Sequence, residues 1–183
     1  MTVPRSFWFP DNTVLCNFAC VDRIALLERI LNGRGRWTAA VAYEARRSAS
    51  IKYRPLQTLI DGGALGEPID IEDDEVAAVQ LVRVASFGGV PEMPLQHLGE
   101  AETLYLMQNR REFKGVSTWI SDDRITVSYA RRQGLTVMET IDLMAYGCSM
   151  GDVVASEAFE LLHRMDQMGR SLRLPGSVRE LTN

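Results

Sequence analysis

The sequence is poor in the residues that announce the commoner chemistries. It has two histidines, His97 and His163, and three cysteines, Cys16, Cys20 and Cys148. An odd number of cysteines is not a disulfide framework, and reduced thiols are expected. Cys16 and Cys20 stand four apart, on one face of an expected helix, but zinc takes four ligands and there is no second pair. A histidine-based triad would hang on His97 or His163. His163, in the middle of ELLHRMD, reads as a packed or solvated helical residue, and His97 as a local cap beside a helix start. No apolar run reaches the ~18 residues of a membrane span. The opening MTVPRSFWFPD lacks a basic region followed by an apolar stretch, so a cytoplasmic location with no membrane partner is expected. Also missing are GxxxxGK[ST], GxGxxG after a strand, HExxH and GxSxG. No internal repeat or low-complexity tract is present.

What remains is ordinary in bulk. The chain has 183 residues, 46% hydrophobic and 24% charged, close to the soluble globular average, and reads as a single domain over 1–183. The formal charge is −4, from 24 acidic against 20 basic residues, and only Lys52 and Lys114 of the latter are lysines. A chain this acidic is no general nucleic-acid-coating protein. If nucleic acid is its substrate, local arginines or metal ions must meet the phosphate charge.

Along the chain, Ser6–Asp11 (SFWFPD) suits a short buried strand with Pro10 near its end. Asn12 or Thr13 can cap a helix over Val14 to Leu31, stopped by Asn32-Gly33. Thr38 opens a second helix to Ser48, and Tyr53 to Ile60 suggests a third. Glu67–Ile71 alternates like a brief strand. Asp73 and Asp74 are placed to cap a helix to about Ser86, and another helix runs from His97 to Glu112. VSTWIS after Gly115 and Leu135–Met138 read as strands covered on both faces. Helices are expected from Ser121, Asp122 and Asp123 to Arg132, from Thr140 to about Cys148, and from Ser156 to near Gly169. This alternation predicts an α/β fold with a central parallel sheet of at most four or five strands and helices on both faces.

Acidic residues fall where such a fold binds ligands. Asp11 ends the first strand, and Asp122 and Asp123 follow a later one. The carboxyl ends of parallel strands form a crevice, and neighbouring helices can turn Glu44 and Glu100 toward it. Carboxylates crowded together raise one another's pKa unless a cation intervenes. Mg²⁺ or Mn²⁺ prefers such oxygen ligands and assists displacement at phosphorus. The plainer reading is that acids at helix starts complement the helix dipole.

The segments taken together resemble the PIN-domain family of small metal-dependent ribonucleases, many of them toxins of bacterial toxin–antitoxin pairs. Asp11-Asn12-Thr13-Val14-Leu15 is similar to the family's D-x-[ST]-x-L, with Asn17 two positions on. Val41-Ala42-Tyr43-Glu44 resembles the segment carrying its second acid. Leu98-Gly99-Glu100-Ala101-Glu102 resembles its L-G-E-x-E helix start, and Ser121-Asp122-Asp123-Arg124 its T-D-D-R. The likeness runs over about residues 6–175, with 50–95 matching poorly. It implies a three-layer α/β/α sandwich and phosphodiester hydrolysis with Mg²⁺ or Mn²⁺. Asp11, Glu100 and one of Asp122 and Asp123 would be metal ligands. Glu44 would be a further catalytic acid, holding or orienting the metal through water. Thr13 and Asn17 would support the carboxylates from behind. Glu102 is about 200° around the helix from Glu100 and is set aside. Glu100 stands where many relatives use aspartate, and Pro10 directly before Asp11 is unusual in a buried strand.

RNA binding needs positive charge beside the acids. The arginine pairs are Arg46-Arg47, Arg110-Arg111 and Arg131-Arg132, with Arg46 and Arg47 the candidates for phosphate contact. Each pair also fits a solvated helix end. Trp8 and Trp119 are expected in the core, and Trp37 is the one tryptophan placed in a loop. Met138, Met144, Met150, Met165 and Met168 either fill the core or offer a surface to an antitoxin protein or a second copy in a homodimer. The rival reading is a catalytically inactive PIN-like module that binds nucleic acid or protein. A phosphorylated receiver domain fits poorly, because Lys114 precedes its strand instead of following one.

Overall fold

A computed structural model describes residues 6–182. Its centre is a parallel sheet of three short strands in the order β1 (Phe7–Pro10), β2 (Ser117–Ile120), β3 (Thr136–Met138). Phe9 pairs with Trp119, and Trp119 in turn with Val137. Pro10 is tolerated because it is the last residue of a strand at the sheet's edge. The four or five strands expected are not reached among the described residues. Beyond β1 there are only single bridges, Trp8 to Gly35 and Thr38 to Ile69. Glu67–Ile71 is therefore not a strand: Ile69 alone exchanges backbone bonds, with Trp37 and Ala39, and Pro68 has no N–H to extend the ladder.

Successive strand residues face opposite ways, and both faces of β2 are covered, whereas β3, expected to be covered on both faces, lies at the edge with Thr136 exposed and Val137 and Met138 half-buried. Trp8 and Ile120 enter a core with α1 (Asn12–Cys20), α2 (Ile24–Leu31), α3 (Ala39–Ile51), α4 (Leu56–Gly62), α8 (Thr140–Met150) and α9 (Ala155–Gln167). Phe9 and Trp119 enter a second core with α6 (Leu98–Asn109) and α7 (Arg124–Arg132), edged by α5 (Val76–Phe87). This is an α/β fold consistent with three layers. Among the described residues, no helix is long and apolar enough to cross a membrane.

The helix expected over 14–31 is two. Asp22 takes a left-handed backbone (φ 56°), and Arg23 N–H closes α1 onto the Phe18 carbonyl. The cap of α1 is Asp11, not Asn12 or Thr13, since its carboxylate accepts from Val14 N–H at 2.9 Å. Thr38 caps α3 and Asp123 caps α7. Asp73 and Asp74 cap nothing: α5 begins after Glu75, with no side-chain cap. Thr140 is inside α8, whose start is closed by a reciprocal box of Glu139 and Asp142. All three tryptophans are buried, including Trp37, whose indole donates to the Gly66 carbonyl at 2.8 Å. Met144 and Met165 are core, while Met150 and Met168 are exposed.

Candidate functional site

Asp11 sits where β1 passes into α1. Its carboxylate is held by three donors: Val14 N–H, the Thr13 hydroxyl at 2.6 Å and the Ser121 hydroxyl at 2.5 Å. Thr13 thus orients Asp11 as expected, and Ser121 does so from the end of β2. Burial still outweighs these bonds and, with Asp122 near, pushes the Asp11 pKa up to about 6.

Glu44 lies on α3 and Glu100 in the first turn of α6. The two helices approach closely because residue 99 is glycine. A methyl group there would stand 3.0 Å from Val41 and 3.3 Å from Glu44 Oε1. No side-chain hydrogen bond or ion pair to Glu44 is found among the described residues. Burial, then Glu100, Asp11 and Glu102, push its pKa up to about 8. The Glu100 carboxylate has His97 Nδ1 at 3.6 Å. Glu100 and Asp11 are thus near enough to act on Glu44, and Asp11 and Glu44 both hold protons more tightly than free carboxylates.

Asp122 and Asp123 part company. Asp122 is buried and saturated: Asn17 donates at 2.7 Å, the Thr140 N–H at 2.9 Å and the Thr140 hydroxyl at 2.5 Å. It ties β2 to α1 and α8. Asp123 is exposed and caps α7, accepting from Thr126 N–H at 2.7 Å. Asn17 supports Asp122, not Asp11. Glu102, set aside from the sequence, lines the same groove as Glu100, and its carboxylate accepts from Ala40 N–H at 3.0 Å, bracing the start of α3. Burial raises its pKa.

Arg170 is a site residue that sequence reasoning missed. It donates to Asn17 Oδ1 at 2.6 Å, to the Thr13 carbonyl at 3.1 Å and to the Tyr53 hydroxyl at 3.2 Å. Its bond to the Asn17 oxygen turns the Asn17 amide nitrogen toward Asp122. Its only signal in sequence is an arginine just after the glycine that ends the last long helix.

A groove of about 930 Å³ opens beside the acids, between α3 and the start of α6. Glu44, Glu100 and Glu102 lie along it, with Arg47 and Lys52 as its cations and Tyr43 and Leu95 among its apolar walls. Arg46 is exposed and is not in the groove lining. The other arginine pairs are partly committed: Arg110 grips Glu75 at 2.6 Å and Arg131 pairs with Glu139 at 3.2 Å.

The donors at Asp11, Glu44 and Glu100 are all carboxylate oxygens, with no arginine or lysine paired to them among the described residues. That donor chemistry suits a hard divalent cation. Spacing is another matter: among the described residues no group of three or more His, Cys, Asp or Glu is close enough to hold a metal ion. The acids form an approach that side chains would have to close. No protein-family model, curated protein or solved structure matches the chain.

Proposed function

We propose that the chain is a PIN-like, metal-dependent ribonuclease working at Asp11, Glu44 and Glu100. One observation carries this reading: Glu44 and Glu100 line an open groove with neither arginine nor lysine paired to them among the described residues, and Asp11 is near enough to raise the Glu44 pKa. Structural carboxylates in a fold are normally paired or hydrogen-bonded, as Asp122 is here, while Glu44 has no such partner among the described residues. Mg²⁺ or Mn²⁺, held by Asp11 and Glu100, would activate water and offset charge at phosphorus. Asp11, kept in one orientation by Thr13 and Ser121, presents its carboxylate without rotational search. Glu44, carrying a proton at neutral pH, can give it to the departing oxygen. Arg47 and Lys52 border the groove and would meet phosphates on either side of the cleaved bond. Asp122 and Asp123 have structural work, bracing and capping, and stand outside this reading as ligands.

The test is cleavage of RNA by purified protein with Mn²⁺ present and absent. Asp11→Asn should abolish the metal-dependent activity by a factor of ~10² or more while leaving the circular dichroism unchanged. Cleavage retained in Asp11→Asn overturns the proposal. The second reading, a binding module without catalysis, is favoured by the unclosed spacing of the acids. It predicts no saturable Mn²⁺ binding and no cleavage by wild-type protein.

A further inference from the structure

The aromatic side chains are withdrawn from water with one exception. Of the six phenylalanines, three tryptophans and five tyrosines, Tyr43 alone is exposed, and the others are buried or half-buried. The remaining tyrosines show the rule. Tyr53 accepts a hydrogen bond from Arg170, Tyr129 meets the Ser86 hydroxyl at 2.8 Å, Tyr146 lies edge-on to Trp8, and Tyr105 packs against the second core. Tyr43 is 50% exposed and belongs to neither core. Its ring has no aromatic or cationic partner among the described residues. A single exposed ring is ordinary on a surface. The place of this one is not: it lines the groove, directly before Glu44 on α3.

Helical spacing fixes what stands beside the ring. Arg47 follows Tyr43 by four residues and Glu44 by three, so it neighbours both on the surface of α3. Arg47 also lines the groove, and so does Lys52, just past the end of α3. Neither cation pairs with a carboxylate among the described residues. An aromatic face, an uncommitted guanidinium and an acid therefore fall within about one turn of helix. This combination separates the occupants. An apolar peptide would use the ring and leave the guanidinium idle, and a basic one would meet like charge at Arg47 and Lys52. A polyanion without bases would use the cations and leave the ring idle. A nucleotide uses both, since its base has a π-face for the ring and its phosphate accepts from the guanidinium.

We infer that Tyr43 is the base platform of this groove: it stacks an unpaired nucleobase while Arg47 holds the adjoining phosphate. The inference rests on the reading of the site as one that acts on RNA, and it makes Tyr43 the residue that sets which form of RNA enters. With the base on Tyr43 and the phosphate at Arg47, the phosphodiester lies beside Glu44, because Glu44 adjoins Tyr43 in the chain and Arg47 on the helix surface. In a duplex each base is paired at its edge and stacked within its own helix, so no π-face is left for the ring. Loops, bulges and ends have bases that can be splayed out onto an aromatic side chain. Stacking uses the face of a base and not its edge, so the platform tolerates any of the four bases. Selection at Tyr43 is therefore for unpaired strand, not for sequence.

The experiment is fluorescence anisotropy with a short labelled RNA lacking self-complementarity, in EDTA and again with Ca²⁺ in place of Mn²⁺, so that binding is read without cleavage. Tyr43→Ala should weaken binding about tenfold. Tyr43→Phe should keep it, and Tyr43→Leu, apolar but without a π-face, should fall with alanine. Circular dichroism and melting temperature should be unchanged, since half of Tyr43 already meets water. When the RNA is made abasic at one position after another, one position should cost the wild type affinity and cost Tyr43→Ala nothing further. The same strand annealed to its complement should bind the wild type and Tyr43→Ala alike. A Tyr43→Leu variant that binds as the wild type does, or a Tyr43→Ala variant that loses nothing, overturns the inference, even where wild-type protein cleaves RNA with Mn²⁺ and the nuclease reading stands. Binding that depends on Tyr43 without any cleavage upholds it and leaves the site a binding module. Wild-type protein that binds no RNA under either condition overturns it and leaves the ring to a protein partner.

Discussion

Two groups of acids stand at the same end of the sheet and are treated oppositely. Asp122 has three donors on its two oxygens, drawn from α1 and α8. Glu44, also largely withdrawn from water, has none among the described residues and faces Glu100, Asp11 and Glu102 instead. Burial alone therefore does not distinguish a structural carboxylate from a reactive one. What distinguishes them is whether the fold has supplied partners. Asp11 stands between: its donors fix its direction, yet its pKa remains raised.

The sharpest break of that contrast is Asp122→Ala. It strands the Thr140 hydroxyl proton and N–H in the interior and leaves the Asn17 amide nitrogen only its 3.2 Å bond to the Thr140 hydroxyl. Unsatisfied groups of this kind cost about 3 kcal/mol, to be read from urea denaturation at neutral pH.

A smaller effect separates the two jobs of Asp11. Asp11→Ala should lower stability by about 1 kcal/mol through loss of the α1 cap, whereas Asp11→Asn keeps a capping oxygen and should lie within about 0.5 kcal/mol of wild type. Equal losses in the two variants would mean that the cap is not what the residue contributes.

The pH dependence is the most diagnostic, because here the substitution stabilises the fold. A carboxyl whose pKa is raised on folding binds more protons folded than unfolded, so stability falls as pH rises through that interval. For Glu44 the interval runs from the ordinary 4.5 to about 8. Glu44→Gln should therefore be more stable than wild type at pH 8 and indistinguishable near pH 4, with a flatter profile between. Mn²⁺ affinity of the wild type should instead rise as the pH climbs through about 6, where the proposed ligand Asp11 gives up its proton. A pH profile unchanged by Glu44→Gln would show that Glu44 is not crowded by its neighbours.

Locally written features were legible in the sequence. The starts of α3 and α7 and the buried strand within VSTWIS follow from caps and apolar runs; LTVM holds a strand, but one at the sheet's edge with Thr136 exposed and Val137 and Met138 half-buried. What was not legible depends on partners far along the chain. Asp122 and Asp123 are adjacent and alike in sequence; Asn17 and Thr140 decide between them, 105 and 18 residues away. Asn17 was expected behind the carboxylates without a named partner; its amide extends across the sheet end to Asp122. The strand expected at Glu67–Ile71 failed because alternation does not supply a neighbouring ladder.

Arg170 grips Asn17 across 153 residues of chain. A ribosome delivers the acids early and this guanidinium late. Until translation passes residue 170, the growing polypeptide holds Asn17 with its oxygen unclaimed, and the amide is free to present either end to Asp122. The order of synthesis thus withholds the last support of the acidic end until most of the protein has emerged.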